Sequence, residues 1–184
     1  LMGKGCVIIG QHADSTGAPA AVNKALADGT IAYSVGYNVD MISAASNAAL
    51  TSATNEWHVY YEYAIGSAME GKDIDTDWAK GYAVDAVAIT ALNSNAVAEG
   101  TQEAVDAAIA AIKAGTLHVF DCSTFTVGGE HITTYTEAYG LDGKEAIVKS
   151  GDTAYFDESK WRSAPYFDIR IDGIVENNDY EVAE

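Results

Sequence analysis

Cys6-Val7-Ile8-Ile9-Gly10-Gln11-His12-Ala13-Asp14-Ser15-Thr16-Gly17 joins a short apolar, β-branched run to a polar turn. Such a run after Gly5 predicts a buried strand over Cys6 to Gln11. Asp14, Ser15, Thr16 and Gly17 supply cap and turn chemistry, and capping of the next helix by Asp14 or Ser15 is the plain alternative to a binding role. Ala20 to Ala27 predicts that helix, closed by Asp28-Gly29, and Ile31 to Val35 a second buried strand ending at Gly36-Tyr37-Asn38. Strand, helix and strand within about thirty residues make a βαβ unit, which implies a parallel sheet and an α/β fold.

Beyond this unit, Ala44 to Met69 reads as mostly helical, with Trp57, Tyr60, Tyr61 and Ile65 at helical spacing, and Glu70-Gly71-Lys72 as its stop. The tyrosines are expected in the core. Lys80 to Leu92 suggests a strand with flanking turns. Thr101 is placed as the cap of an amphipathic helix carrying Val105, Ala108, Ile109 and Ile112, and Leu117 to Phe120 as one more strand. After about residue 125 the helical period fades. The organisation expected is an α/β lobe over 1–125 and an irregular, β-rich crossover, hairpin and tail over 126–184. In that tail Ala164 to Ile171 is expected as an edge strand, which suits Pro165 near its start.

The chain has 184 residues, with 27 acidic against 10 basic and a net charge of -17. That surface repels phosphate backbones, so no nucleic-acid partner is expected. No run approaches the ~20 apolar residues of a membrane span. Cys6 and Cys122 lie in apolar settings and are expected as two buried thiols, although a bridge between them is left open.

In an open parallel sheet, ligands gather beyond the carboxyl ends of the strands. Here those ends are Gln11, His12, Asp14, Ser15 and Thr16 after the first strand, and Asn38 and Asp40 after the second. Parallel strands share a direction, so both clusters belong on one edge, offering donors and acceptors to hydroxyl and amide groups. Either cluster alone is equally well ordinary turn chemistry; the pair favours a binding site. Trp57, just inside a helix, is the candidate for stacking on a flat ring.

No catalytic residue, metal ligand or cofactor is assigned. His12, His58, His118 and His131 lack zinc spacing. Asp73-Ile74-Asp75-Thr76-Asp77 opens like a calcium loop, but Trp78 stands where glycine is needed and Val84 where a glutamate belongs, which leaves a solvated turn. G-x-S-x-G, G-x-G-x-x-G and Walker patterns are absent, and Cys122 has no recognisable base, so an enzyme is not expected.

Gly5 to Gly17 resembles the segment G-a-D-v-I-x-q-h-x-D-s-x-G of the basic membrane protein family, surface lipoproteins that include purine-nucleoside receptors. Ser34-Val35-Gly36-Tyr37-Asn38-Val39-Asp40 is similar to its x-i-G-v-D-x-D segment, and Leu50 to Trp57 to its L-T-S-x-x-x-x-W helix start. The resemblance runs from Gly5 to about Phe125, and Tyr166 to Gly173 is similar to the tail of one branch. It implies a three-layer, parallel-sheet lobe of a type I periplasmic-binding-protein fold, in which two lobes close on a ligand. It also implies an extracytoplasmic, lipid-anchored solute-binding component of an ABC importer, with a small polar, nucleoside-like ligand and a permease as partners. Carried over, Gln11 to Thr16, Asn38 and Asp40 line the C-lobe side of the cleft, with Trp57 near it.

Two departures stand out. Asn38 replaces an aspartate of the family segment and Asn55 a frequent lysine, so amides stand where a carboxylate and an ammonium would grip ribose hydroxyls. The pattern also enters partway through the C-terminal lobe, and Leu1 to Lys4 reads as the end of a preceding helix. A sheet lacking its leading strands is expected to self-associate, exchange strands or join a further lobe. The alternatives are a ligand-sensing domain of a regulatory protein, disfavoured by the absence of a basic, DNA-reading helix, and a flavodoxin-like enzyme domain, disfavoured by the absence of a phosphate loop.

Overall fold

The computed structural model describes residues 1–138, 140–151, 153–161 and 168–175. The chain divides into two compact units, Leu1–Ala114 and Gly115–Glu184.

The first unit is α/β. Strands β1 (Ile8–Gly10), β2 (Tyr33–Tyr37), β3 (Ala49–Asn55) and β4 (Val87–Ile89) form one sheet in that spatial order. β1, β2 and β3 run parallel and β4 returns antiparallel to β3. Helix α1 (Gly17–Ala27) makes the crossover from β1 to β2. Its Val22 and Leu26, one turn apart, pack with Ile9, Ala32, Ala48 and Met2. Asp28 and then Gly29, at φ 94°, end the helix. The expected βαβ unit is therefore present.

Burial of β1 differs from expectation. Ile9 faces the core, whereas Val7 and Ile8 are each 52 % exposed and Ile31 70 %. β1 lies at the end of the strand order, with β2 its one described neighbour, and none of the described core clusters includes Val7 or Ile8, so this stretch is uncovered. Cys6 is exposed and free, contrary to the expected buried thiol, for the same reason; Cys122 is buried and free.

A larger correction concerns Ala44 to Met69. Ala49–Asn55 is strand β3, and helix α2 starts at Trp57 and ends at Met69. Thr51, Ser52 and Thr54 carry hydroxyls that compete for backbone groups, and threonine is stiff at χ1, so this stretch prefers a ladder when one is offered. β2 offers it. The two strands pack so closely that a Cβ on Gly36 would sit 2.3 Å from Ser52 Oγ and 2.6 Å from Met41 Cγ. Asn93 holds the entry to β3: its Nδ2 donates to the carbonyls of Ser46 (2.9 Å) and Ala49 (2.7 Å), and its Oδ1 accepts from Asn95 N–H.

No residue of α2 is fully buried. Tyr61 is exposed rather than in the core, and Tyr60 and Tyr63 are half-buried against Trp78, with ring centroids 5.2 and 6.2 Å away. Helix α3 (Thr101–Lys113) is capped by Gly100 at φ 83°, not by Thr101, whose hydroxyl donates to Ala98 O. Asp73 to Asp77 is exposed, and among the described residues no group of three His, Cys, Asp or Glu side chains could hold a metal ion. No helix among them is long and apolar enough to cross a membrane.

In the second unit, β5 (Ile147–Ser150) and β6 (Thr153–Phe156) form an antiparallel hairpin, followed by the short α4 (Glu158–Trp161). Phe156, Leu141, Cys122, Ala146, Ile147 and Ala138 make its core. The strand expected over Leu117 to Phe120 is absent. Instead Asp121 forms a lone bridge to Tyr155, flanked by Cys122 N–H to Ala154 O (2.7 Å) and Phe156 N–H to Phe120 O (3.0 Å). Of the edge strand expected over Ala164 to Ile171, residues 164–167 lie outside the described residues and 168–171 form no strand.

Candidate functional site

Three parallel strands end on one edge of the first sheet, and each delivers a short polar segment there. The ladders continue one residue past the strands. Gln11 N–H donates to Val35 O (3.2 Å) beyond β1, and Asn38 N–H to Ala53 O (2.7 Å) beyond β2. The turns after β1 and β2 therefore leave the sheet side by side.

A side-chain bond joins them: Asn38 Nδ2 donates to Asp14 Oδ1 at 3.1 Å, across 24 residues of sequence. Asn38 is held for this by its backbone, at φ 70° in the left-handed region that asparagine tolerates better than most residues. Its carbonyl accepts from the Thr54 hydroxyl at 2.8 Å. β3 thus fixes the turn after β2, which in turn fixes Asp14. Asp14 has its second carboxylate oxygen left to accept from a solute, and Asn38 its amide oxygen.

The remaining predicted residues divide by how their polar atoms are used. Gln11 Nε2 donates to Ala13 O (3.1 Å) and Ser15 O (3.0 Å), bracing the loop, while its Oε1 is buried without a hydrogen-bond partner. Ser15 Oγ accepts from Gly17 N–H at 3.1 Å. Thr16 stands at the α1 N-cap position with no side-chain cap bond, and it is the Ser15 hydroxyl that meets the first helical N–H, that of Gly17. Asp40 Oδ1 accepts from Ile42 N–H at 2.7 Å, which makes that oxygen part of a turn. His12 is exposed, and its ring lies 4.4 Å from that of Tyr37. Trp57 is the first residue of α2, two positions beyond β3 on the same edge, 57 % exposed and stacked on Tyr61 at 6.5 Å.

Sequence reasoning places Tyr37 in the polar cluster that ends the second strand without giving it a role, and passes over Thr54. Tyr37 was legible as the last strand residue before Asn38, a position that opens onto the strand ends. Thr54 was hidden inside the segment read as helix. No Lys or Arg occurs in 11–16 or 36–40, so the two turns carry two carboxylates and no basic residue of their own.

A model of the family described as ABC transporter substrate-binding protein PnrA-like (Bmp) matches residues 1–116. No curated protein matches the chain. The family match falls on the transport reading, not on the regulatory or flavodoxin-like alternatives. It covers the whole polar edge and more than half of the 184 residues. The chain belongs to the Bmp family, the extracytoplasmic substrate-binding components of ABC transporters, whose partners are a small-molecule ligand and a transporter permease.

Proposed function

We propose that the edge formed by Gln11, His12, Asp14, Ser15, Thr16, Asn38, Asp40 and Trp57 is one wall of the ligand cleft. The solute in this reading is small, polar, uncharged or cationic, and nucleoside-like, carried by a receptor anchored outside the cell as a lipoprotein. The carrying observation is the Asn38–Asp14 hydrogen bond at 3.1 Å, which joins the turns of two parallel strands into one polar surface. Two acceptor-rich turns with carboxylates and no Lys or Arg of their own suit hydroxyl and N–H donors and disfavour anions. Gln11, Ser15 and Asp40 use polar atoms on their own loops, so they shape the wall more than they grip the ligand.

Thermal-shift screening of the full-length protein against nucleosides, sugars, amino acids and nucleoside monophosphates tests the reading. A ligand at about 100 times its Kd adds about 2.7 kcal/mol of stability, so nucleosides are expected to raise Tm by several degrees. A shift produced only by anionic solutes, or by amino acids alone, would contradict it.

Pairing with further chain belongs to the same proposal. β1 has an open edge among the described strands, beside exposed Val7, Ile8 and Ile31, and such an edge recruits another strand. Sedimentation of residues 1–184 is expected to show self-association; a stable, compact monomer counts against it.

A further inference from the structure

In the second unit a late segment of the chain is fastened to an early turn. Residues 127–130 form that turn, closed by Val127 N–H to Glu130 O at 2.9 Å. At its tip Gly128 and Gly129 stand at φ 61° and 88°, left-handed backbone that glycine adopts without strain. Successive N–H groups of such a turn can converge as a cup for an anion. The Asp172 carboxylate fills it. Its Oδ1 accepts from Gly128 N–H (3.1 Å), and its Oδ2 from Gly129 N–H (2.8 Å) and the Thr126 hydroxyl (2.7 Å). Asp172 N–H donates to Thr126 O (2.9 Å), and Asp168, four residues earlier, accepts from the Tyr135 hydroxyl. Residues 168–172 are thus tied to the 126–135 loop at two points. The ties are polar. None of residues 168–175 is buried, and neither Ile169 nor Ile171 is among the described residues packed on the core around Phe156 and Leu141. A segment held by exposed hydrogen bonds, with few buried apolar contacts, opens at lower free energy than the core.

We propose that residues 168–172 are a releasable strap with Asp172 as its latch: the carboxylate seats in the cup of Gly128 and Gly129, and the strap opens and closes as one piece while the β5–β6 hairpin stays folded. Each bond in the cup goes to a charged acceptor, which makes it stronger than a neutral one, and all three donors meet one side chain. A single residue therefore sets the balance between fastened and open. Asp168 adds a second, weaker tie through one hydroxyl. Opening also loosens the turn beneath, whose described regular pairing is the single Val127–Glu130 bridge.

Amide hydrogen exchange and limited trypsin digestion of the full-length protein test the latch together. Arg170 lies inside the strap, so cleavage after it tracks the open population when opening is fast. In the unsubstituted protein the Gly128 and Gly129 amides are expected to exchange slowly. Asp172→Ala is expected to speed both their exchange and cleavage after Arg170 by about tenfold or more, with β5 and β6 amides losing less protection than the two glycines. Asp172→Asn keeps the shape and one acceptor oxygen, and is expected to fall between. Tyr135→Phe releases Asp168 alone; it is expected to raise cleavage several-fold and to leave the Gly128 and Gly129 amides protected. Equal loss of protection at the glycines and over β5 and β6 in both Asp172 variants overturns the proposal, since Asp172 then belongs to one cooperative unit. Unchanged cleavage after Arg170 in Asp172→Ala overturns it too, as do glycine amides that already exchange freely in the unsubstituted protein.

Discussion

Asp14 in the first unit and the carboxylates Asp172 and Glu145 in the second are used in opposite ways. In the second unit Asp172 accepts from the Thr126 hydroxyl (2.7 Å) and from Gly129 and Gly128 N–H (2.8 and 3.1 Å). Glu145 accepts from Tyr135 and Ile147 N–H (2.7 and 2.8 Å) and from the Thr134 hydroxyl. These groups are saturated clasps that satisfy loop backbone where regular ladders are few. In the first unit the ladder already satisfies the backbone, and Asp14 accepts one bond from Asn38, leaving lone pairs over. A carboxylate consumed by its own loop builds structure, whereas one held in place but unsaturated is available to a ligand.

The contrast breaks most visibly at the core of the second unit. Phe156 is 2 % exposed, and Phe156→Ala is expected to cost about 3–5 kcal/mol, measured as lost hydrogen-exchange protection over β5 and β6. Little loss there would mean that the clasps alone hold the unit.

Next in size is Gly36→Ala, whose new Cβ collides with Ser52 Oγ and Met41 Cγ. Forcing atoms into a packed site costs about 1–3 kcal/mol, and urea unfolding of the first unit should register it. Because β2 and β3 carry Asn38 and Thr54, ligand affinity should fall with it.

Asp14→Ala sharpens the comparison from the other side. Exposed and bonded once, Asp14 should contribute within about 0.5 kcal/mol to stability, while its loss should lower solute affinity roughly tenfold or more. Equal stability and lost binding is the expected pair of readouts; lost stability with intact binding would make it a clasp like Asp172.

The smallest effect is acid sensitivity of the second unit. The Thr126 hydroxyl and the Gly129 amide hold Asp172 below its ordinary 3.8. Burial works to raise Glu145, but bonds from Thr134, Tyr135 and Ile147 outweigh it and hold the group below 4.5. Depressed carboxylates contribute stability above their unfolded values, and the contribution disappears as pH falls through the folded ones. Hydrogen exchange over β5 and β6 should therefore be unchanged from neutral pH to about pH 5 and should lose protection below about pH 4. Loss between pH 7 and 5 would point to other groups.

The βαβ unit was legible because its signals are local. A β-branched run, an alanine-rich helix with Val22 and Leu26 one turn apart, and a closing glycine each act within a few residues. The shared edge of the two turns came with it, since parallel strands must end together. The features that escaped depend on distant partners. Leu50 to Asn55 becomes a strand because β2 lies beside it and Asn93 ties down its start, neither of which appears in the segment itself. The exposure of Cys6, Val7 and Ile8 depends on what packs over β1, a property of the assembled fold and not of local hydropathy. Tyr37 was in plain view within the quoted motif, but its pairing with His12 exists only once two strands are laid side by side.

Amide chemical-shift mapping of the full-length protein during titration with adenosine tests the central claim most directly. The account predicts that the shifts concentrate at 11–16 and 37–40, with the Asn38 side-chain amide among the largest, and leave Gly128, Gly129 and the β5–β6 hairpin unmoved. Saturable shifts confined to residues 115–175, with 11–16 and 37–40 silent, would contradict it.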